Sequence, residues 1–360
     1  MKILLLNWRD PRHPFAGGAE KSVLEHVKYW QKKGAQVTWY AASFDSAKRE
    51  EIIDGIKIIR KGNQYTVHLM FLIDVLMQKF SDIDLVVDCF HFVPFFTPIL
   101  LPFKKKIALI QETGGRLWFH NIILPFSFVG YLVEPFFFVF YRSVNFITAS
   151  NSTKESLIKF GIKKERIYIV PHGVDRLVSK TKKETKPTIL YLGLLTKDKG
   201  FEDASEAAYL VKKEVKDLQY FIAGKESKKG DFNWYIGSAR NFAKYFGYVT
   251  DRGKFDLYKK SWILIHPSEK EGWGLTVVEA ATQGTPTVGY NVAGLKDSIV
   301  NNRTGLLVEN SPKELAKGII TLIKNKSALN KMSIETKKRS DEYDWNKSAK
   351  LSWKLVNNTL

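Results

Sequence analysis

The sequence predicts an α/β protein with two doubly wound, Rossmann-like domains, and three observations support this fold class. Two series of alternating strand-like and helix-like segments follow one another along the chain. The chain of 360 residues is long for a single core, since a domain usually has about 150 residues. A polar, Lys-rich segment at 176–187 separates the two series. We therefore predict one domain at 1–175, a linker at 176–187 and a second domain at 188–343.

The first series opens with an apolar run at 2–7, which reads as a buried parallel strand. A loop with the pair Gly17-Gly18 follows, and apolar spacing predicts a helix at 19–33. This order is typical of a loop that approaches phosphate, although the three-glycine dinucleotide fingerprint of a dehydrogenase is missing. Further strands are predicted at 36–41, 56–60, 84–89, 106–110, 145–149 and 166–170, with helices at 67–80, 136–142 and 152–160.

The second series repeats this alternation after the linker. Strands are predicted at 188–193, 219–224, 245–249, 262–267, 286–289 and 305–308, with helices at 201–214, 233–244, 253–260, 275–283 and 312–324. The segment 344–360 follows, and its apolar residues Trp345, Ala349, Trp353 and Val356 share one face of a predicted helix.

Composition limits the partners and the compartment. The net charge of +19 arises from 56 basic and 37 acidic residues spread over both halves, so an anionic partner is expected: nucleic acid, anionic lipid or a nucleoside diphosphate. The single cysteine, Cys89, excludes an internal disulfide and favours a reducing, cytoplasmic compartment. The apolar run at the N-terminus is too short for a signal peptide.

The stretch EGWGLTVVEA at 271–280 carries the strongest chemical signal. Gly272 and Gly274 follow a strand and precede a helix, so backbone N–H groups at the helix start can bind phosphate. Glu279 lies two turns into that helix, where a carboxylate suits paired sugar hydroxyls. An anion site beside a diol-binding carboxylate indicates a nucleotide-sugar pocket. The alternative is that Glu271 and Glu279 are solvated charges.

This stretch resembles the signature of the retaining glycosyltransferases of family 4, which have the GT-B fold. The resemblance extends to Gly284-Thr285-Pro286, to Val292-Ala293-Gly294, to Gly17-Gly18-Ala19-Glu20 and to the string at 171–175. It implies two Rossmann-like domains facing a central cleft, with the C-terminal helix crossing back to the first domain. It also implies sugar transfer from a nucleoside-diphosphate donor with retention of configuration and without an essential metal ion.

The resemblance also implies roles for individual residues. Glu279 would hold the ribose hydroxyls, Glu271 the donor sugar, and Lys199 the diphosphate. The glycines 17 and 18 would line the first-domain side of the pocket. The other residues implied on the donor side are Gly272, Trp273, Gly274, Leu275, Thr276 and Lys197.

Two positions depart from the family pattern. The arginine that accompanies the lysine on the diphosphate is replaced by Leu194, and the candidates for the missing cation are Lys197, Arg9, Arg12 and Arg116. A histidine near the transferred sugar is replaced by Gln111, which can hydrogen-bond but cannot titrate. These departures leave a catalytically weak or inactive paralogue that binds nucleotide sugar as an alternative to the active enzyme.

The acceptor side is predicted from fewer signals. Glu112 is a candidate carboxylate near the acceptor, with Arg116 beside it, although Glu112 would also serve as the cap of a turn. His172 lies at the domain boundary, where it would contact a substrate or be a hinge histidine. The implied acceptor is a glycan or a lipid-linked glycan in surface polysaccharide or glycolipid synthesis.

Metal-ion and nucleic-acid functions are disfavoured. The triplet Asp82-Ile83-Asp84 stands where a strand begins, whereas ligands gather beyond the carboxyl ends of such strands, so we expect it to be a strand-entry charge. The histidines have no spacing typical of zinc. The lysines are scattered without an aromatic platform or a recognition module, so no nucleic-acid partner is expected.

The run at 117–141 is long and apolar enough to raise the question of a membrane. Pro125, Pro135 and Glu134 argue against a spanning helix. Two alternatives remain: a peripheral contact with an anionic membrane, with the lysines at 104–106 close in sequence, and a pair of core helices of the first domain.

Overall fold

The computed structural model describes residues 1–121, 124–226 and 230–359, without the side chains at 116, 120 and 121. It divides them into two compact units. Unit 1 comprises Met1–Gly173 and the C-terminal segment from Trp345, and unit 2 comprises Val174–Asp344. Each unit contains one sheet of mainly parallel strands with helices packed on it, so the predicted α/β class with two doubly wound domains is confirmed.

Unit 1 is built on an eight-stranded sheet in the order β3-β4-β2-β1-β5-β6-β7-β8, in which only the edge strand β3 is antiparallel to its neighbour. Its strands are β1 Lys2–Leu6, β2 Gln36–Ala41, β3 Glu50–Ile53, β4 Ile56–Arg60, β5 Leu85–Phe90, β6 Lys105–Ile110, β7 Asn145–Thr148 and β8 Ile167–Ile169. Its helices are α1 Gly18–Lys32, α2 Val67–Leu76, α3 Thr97–Leu100, α4 Trp118–Asn121, α5 Phe126–Phe140, α6 Asn151–Lys159 and α14 Trp345–Thr359.

The central strand β1 of unit 1 is apolar on both sides because both faces of the sheet are covered there. Ile3 and Leu5 of β1 pack into the core under α1 and α14, whereas Leu4 and Leu6 pack into the core under α2. The first of these cores includes Cys89, a free thiol whose pKa is raised well above its usual value by burial.

Helix α14 packs against α1, which agrees with the expectation for the C-terminal segment. Buried polar contacts set the register of the two helices. His26 Nε2 lies 3.0 Å from Ser348 Oγ, and the indole Nε1–H of Trp30 donates to Ser352 Oγ over 3.0 Å. Because these groups are buried, each contact replaces hydration that the side chains lose on folding.

Unit 2 is built on a six-stranded parallel sheet in the order β11-β10-β9-β12-β13-β14. Its strands are β9 Thr188–Leu192, β10 Gln219–Ala223, β11 Ala243–Tyr245, β12 Ile263–His266, β13 Thr287–Tyr290 and β14 Gly305–Val308. Its helices are α7 Phe201–Glu214, α8 Asp231–Tyr235, α9 Asp251–Lys260, α10 Leu275–Thr282, α11 Leu295–Ser298, α12 Pro312–Lys324 and α13 Lys326–Ser340.

Three local predictions differ from the structure. The segment 176–187, predicted as the interdomain linker, lies within unit 2, where Ser179 Oγ donates to Asp256 and Lys183 Nζ donates to the Ser261 carbonyl. The helix predicted at 233–244 is replaced by α8, a 3-10 turn and β11, because Gly237 adopts a positive φ that ends an α-helix. The helix predicted at 136–142 begins much earlier, as α5.

The described ranges contain no helix whose length and apolar character would allow it to cross a bilayer. Helix α5 has 15 residues, which corresponds to about 22 Å at 1.5 Å per residue, against about 30 Å of hydrocarbon.

We predict that unit 1 loses stability as the pH falls from 7 to 5. Burial lowers the pKa of His26 to about 3 and that of His172 to about 4, so below about pH 6.5 the unfolded chain binds protons that the folded unit does not. Each histidine then contributes a loss of up to about 1.4 kcal/mol per pH unit. Calorimetry of the whole chain should show a smaller fall in Tm for His26→Gln than for the wild type. Equal falls would contradict the assignment.

Candidate functional site

Two loops at the carboxyl ends of neighbouring strands form the candidate site in unit 2. Strands β9 and β12 pair in parallel, with Ile265 opposite Tyr191, so the loops that follow them lie side by side. The backbone N–H of Glu269 donates to the Asp198 carbonyl over 3.1 Å. Gly200, at φ +70°, lies so close to Pro267 that a Cβ would come within 2.0 Å of the Pro267 carbonyl oxygen. Only glycine fits there, and the close contact brings Lys199 beside the second loop.

Lys199, Glu271 and His266 meet at this edge. Lys199 Nζ lies 2.9 Å from Glu271 Oε1, and His266 Nε2 lies 3.2 Å from the same oxygen. Burial alone would raise the pKa of the Glu271 carboxyl, but the charge of Lys199 and the hydrogen bond from His266 hold that pKa well below its usual value. Glu271 is therefore an ionised carboxylate at neutral pH that can accept hydrogen bonds from hydroxyl groups.

The loop of Glu271 is fixed by the turn that precedes α11. The N–H of Glu271 donates to the Ala293 carbonyl over 3.2 Å, and a Cβ on Gly294 would lie only 2.1 Å from the carbonyl oxygen of Glu271. Gly294 is at φ +79°, so it provides both the positive φ and the space. The turn Val292-Ala293-Gly294, which is part of the sequence resemblance, therefore packs against the backbone of Glu271 and fixes the position of its loop.

Helix α10 begins directly after this loop, and the residue that precedes it, Gly274, has φ +85°. Within the described chain no side chain caps α10, and its first turn contains no acidic residue. Backbone N–H groups and the positive end of the helix dipole at this terminus can therefore interact with an anion. Leu275 and Thr276 are half-buried there, and Thr276 Oγ1 lies 3.4 Å from His266 Nδ1.

Glu279 lies further along α10, and only 3% of it is exposed. Lys254 Nζ lies 2.7 Å from Oε1 of Glu279, and Tyr258 donates its hydroxyl hydrogen to Oε2 over 3.0 Å. Burial opposes the charge of Lys254, but Glu279 raises its pKa above the usual value, so the ammonium form persists. Both partners come from α9, and neither was identified from the sequence, because a contact between two helices has no fixed sequence spacing.

The remaining donor-side residues occupy varied positions. Gly272 is half-buried in the loop, whereas the indole of Trp273 packs against the Tyr343 ring with 5.5 Å between centroids. This indole is therefore part of the core and only the backbone of Trp273 belongs to the candidate site. Lys197 has an exposed side chain, and Leu194 at the position of the family's arginine is 44% exposed.

In unit 1 the pair Gly17-Gly18 lies at the start of α1, where the carboxylate of Glu20 accepts a backbone N–H. The N–H of Gly17 donates to Glu20 Oε2 over 2.8 Å, while Arg9 Nε and His91 Nε2 lie 3.0 and 3.1 Å from Glu20 Oε1. Burial would raise the pKa of Glu20, but His91 and Arg9 lower it to about 2. Arg9, one candidate for the missing cation, is thus paired within unit 1.

Another candidate arginine and the acceptor-side residues also lie in unit 1. Arg12 pairs with Glu51 at 2.5 Å. Gln111 and Glu112 follow β6 and are half-buried, and Gln111 Oε1 has no hydrogen-bond partner among the described residues. His172 is buried, with Nδ1 2.8 Å from Ser22 Oγ, which favours the structural interpretation of this histidine. The side chain of Arg116 lies outside the described part of the structure.

The two aspartates of the triplet at 82–84 both contact Lys2. Lys2 Nζ lies 2.7 Å from Asp82 Oδ2, and the backbone N–H of Lys2 donates to Asp84 Oδ2 over 2.7 Å. Over the ranges that the structure describes, histidine, cysteine and carboxylate side chains form no group of three or more that could hold a metal ion.

Two family models match the chain in succession. The model described as Glycosyltransferase Family 4 matches residues 16–176, and the model described as Glycosyl transferases group 1 matches residues 175–339. The second match contains Lys199, Glu271 and Glu279, so the candidate site lies within the region on which the family is defined.

Curated relatives agree with these models. Glycogen synthase from Mycobacterium tuberculosis is 26% identical over 218 residues, which cover 57% of this chain and 51% of the relative. An uncharacterized glycosyltransferase from Methanocaldococcus jannaschii is 23% identical over 353 residues, which cover 93% of each chain. The chain spans about half the length of the first curated relatives it matches.

Solved structures share the fold across nearly the whole chain. Sucrose-phosphate synthase from Thermosynechococcus elongatus superimposes with a TM-score of 0.79 at 16% identity, covering 99% of this chain and 98% of that one. HepE from Anabaena, solved in complex with UDP and glucose, has a TM-score of 0.76 at 16% identity and coverages of 99% and 100%. The domain models, the relatives and the shared GT-B fold lead to one conclusion: this chain belongs to the group 1 glycosyltransferases of family 4.

Proposed function

We propose that this protein transfers a sugar from a nucleoside-diphosphate donor to a glycan or lipid-linked acceptor, with retention of configuration and without a metal ion. The observation that carries this proposal is the ion pair between Lys199 and Glu271 beside the start of α10. A cation and a helix N-terminus suit a diphosphate, and an ionised carboxylate at the same edge suits sugar hydroxyls. HepE, which shares the fold, binds UDP and glucose.

In the proposed donor site, Glu279 accepts hydrogen bonds from the ribose hydroxyls. Lys254 and Tyr258 position its carboxylate, because each holds one of its two oxygens. A carboxylate oxygen can accept more than one hydrogen bond, so a diol can be added to these contacts. The bound ribose would then lie on α10, with the phosphates nearer to its first turn.

The proposed catalytic work is electrostatic. When the sugar leaves the diphosphate, negative charge develops on the phosphate oxygens, and the Lys199 ammonium and the backbone N–H groups from Gly274 to Thr276 stabilise it. Lys197, exposed in the same loop, is proposed to take over part of the role of the arginine that Leu194 replaces. These protein groups supply the positive charge that a metal ion would otherwise provide.

Unit 1 is proposed to serve the acceptor. Gln111, whose Oε1 has no partner among the described residues, is proposed to bind a hydroxyl of the transferred sugar. Glu112 and Arg116 are the proposed acceptor-side groups, and the backbone of Gly17 and Gly18 is proposed to lie near the donor. The buried position of His172 makes it the weakest of these assignments. We further propose that the enzyme acts in surface polysaccharide or glycolipid synthesis at the cytoplasmic face of a membrane.

A nucleotide-sugar-binding protein without transferase activity is the second candidate. It is favoured by the hydrophobic side chain of Leu194 where the family has a cation and by the non-titrating Gln111. Turnover separates the two functions, because both candidates bind the donor but only the enzyme forms a glycoside. NMR of the product in the presence of a chelator reads the anomeric configuration and the need for metal in one experiment.

The ribose assignment is tested by a thermal-shift screen of UDP, GDP, ADP and their sugars. Glu279→Gln should weaken the selected nucleotide about tenfold to a hundredfold, since a hydrogen bond to a charged group contributes about 1.5–3 kcal/mol. The matching 2′-deoxynucleotide should bind weakly to the wild type and equally weakly to the variant. If the wild type does not distinguish ribose from deoxyribose, Glu279 does not bind that diol.

The role of Lys199 is tested by steady-state kinetics with the selected donor. Lys199→Met should lower kcat by about a hundredfold to a thousandfold, as expected when one charge-stabilising group is removed from a transition state. Lys313→Met, an exposed lysine on α12, serves as the control and should retain full activity. Full turnover by Lys199→Met would exclude Lys199 from the diphosphate.

The Leu194 departure gives a prediction of increased binding. Leu194→Arg restores the cation of the family pattern at an exposed position, so it should tighten nucleoside-diphosphate binding about threefold to tenfold through charge-assisted hydrogen bonds. Leu177→Arg adds the same charge at a similarly exposed leucine of unit 2 and should change the affinity little. Calorimetric titration measures both. Equal affinities of the two variants would show that Leu194 does not face the phosphates.

A further inference from the structure

Helix α5 has the reverse of the usual surface-helix pattern. Its serine and its carboxylate, Ser127 and Glu134, face inward, and its outward side is apolar apart from the hydroxyl of Tyr131. At 100° per residue the exposed positions occupy an arc of about 220°. The residues on that arc are Phe126, Phe128, Val129, Tyr131, Leu132, Val133, Pro135, Phe136, Val139 and Phe140.

The inward side of α5 is fixed, so the helix cannot roll to hide this arc. Glu134 accepts hydrogen bonds from the backbone N–H groups of Gly114 and Gly115 and from Trp118 Nε1, at 2.5, 2.7 and 3.0 Å. A Cβ on Gly130 would lie only 2.2 Å from the Trp118 ring, so the backbone of α5 sits directly on this indole. Rotation would separate Glu134 from these donors and leave the buried N–H groups of Gly114 and Trp118 without an acceptor.

Neighbouring segments extend the apolar surface on both sides of the helix. On one side, Phe119 of α4 is exposed and contacts the Tyr131 ring, with centroids 5.4 Å apart. On the other side, Phe96, which precedes α3, contacts Phe137 at 5.3 Å. We call the exposed residues of α5 together with Phe119 the α5 surface.

The stretch of sequence that contains α5 has more basic than acidic residues. The sequence from 85 to 154 contains three carboxylates, of which Asp88 and Glu134 are buried and Glu112 is half-buried, and the exposed carboxylates Asp84 and Glu155 flank this stretch. The same stretch contains six basic residues, at 104–106, 116, 142 and 154, and Lys105 and Arg142 are exposed. This asymmetry agrees with the net charge of +19 and favours an anionic counterpart.

We propose that the α5 surface binds an anionic lipid bilayer, with α5 lying in the plane of the headgroup region. The helix is too short to span, and its apolar arc is about twice the roughly 100° stripe that packing on one protein face uses. Acyl chains can surround such an arc, whereas one flat partner cannot. Aromatic rings suit the interface, and basic flanks bind anionic headgroups. This inference extends the membrane contact in the proposed function, but it does not depend on the transfer reaction.

The test is flotation of the full chain with phosphatidylcholine vesicles with and without phosphatidylglycerol, across a salt series. The wild type should bind the anionic vesicles more strongly, and added salt should weaken the binding. The triple variant Phe128→Gln, Leu132→Gln, Phe136→Gln removes one line of the arc and should lower vesicle partitioning about tenfold or more. Thermal shift by the selected nucleotide verifies that unit 2 is folded, and circular dichroism verifies the rest of the chain.

The matched control is the triple variant Leu76→Gln, Ile334→Gln, Leu351→Gln, which replaces three similarly exposed apolar residues elsewhere and should bind as the wild type does. Equal binding by the α5 variant and the control would overturn the proposal, as would the absence of binding to either vesicle. Sedimentation without lipid tests the alternative that a second copy of the chain binds to the α5 surface. If the wild type is a dimer, the α5 variant is a monomer and neither binds vesicles, the α5 surface is a protein interface and the proposal is wrong. Loss of transferase activity alone would leave the membrane inference intact.

Discussion

The candidate site depends on two places where the backbone comes too close for a side chain. Gly200 lies against the Pro267 carbonyl, and Gly294 lies against the carbonyl of Glu271. The first contact brings the loop after β9 to the loop after β12, and the second fixes the loop that carries the carboxylate. The ion pair of Lys199 and Glu271 joins the two loops. Both glycines have positive φ, so a larger residue at either position would disturb both the packing and the backbone conformation.

The two units differ in which anion can interact with the N-terminus of a helix that follows a strand. In unit 1, Glu20 turns its carboxylate back onto the N–H of Gly17, and Arg9 and His91 complete its pairing. In unit 2 the first turn of α10 contains no carboxylate, and Glu271 in the preceding loop pairs with Lys199. The same local geometry therefore binds an internal anion in one unit and is available for an external anion in the other. This contrast supports the proposal that the donor binds to unit 2.

Much of this arrangement follows from local sequence signals. Alternation of apolar runs predicts both parallel sheets, and the spacing of Glu271 and Glu279 around two glycines predicts a strand-loop-helix site. The contacts of Lys254 and Tyr258 with Glu279 were not predictable, because helix α9 reaches α10 through tertiary packing. One incorrect prediction is explained by a glycine: the positive φ of Gly237 ends a helix that the apolar spacing predicts to continue. The outward-facing apolar side of α5 was also not predictable, because an apolar run in a sequence does not show which side of the helix will be buried.

The single cysteine gives this chain a practical property. Cys89 is buried beneath α1 and α14, and burial raises the pKa of its thiol well above the usual value, so very little thiolate is available to alkylating reagents in the folded protein. A cysteine introduced at an exposed position would then be the only fast-reacting thiol. Spin labels or fluorophores can therefore be attached one site at a time in the native background, and immersion depth along any helix can be mapped without first removing an endogenous sulfhydryl.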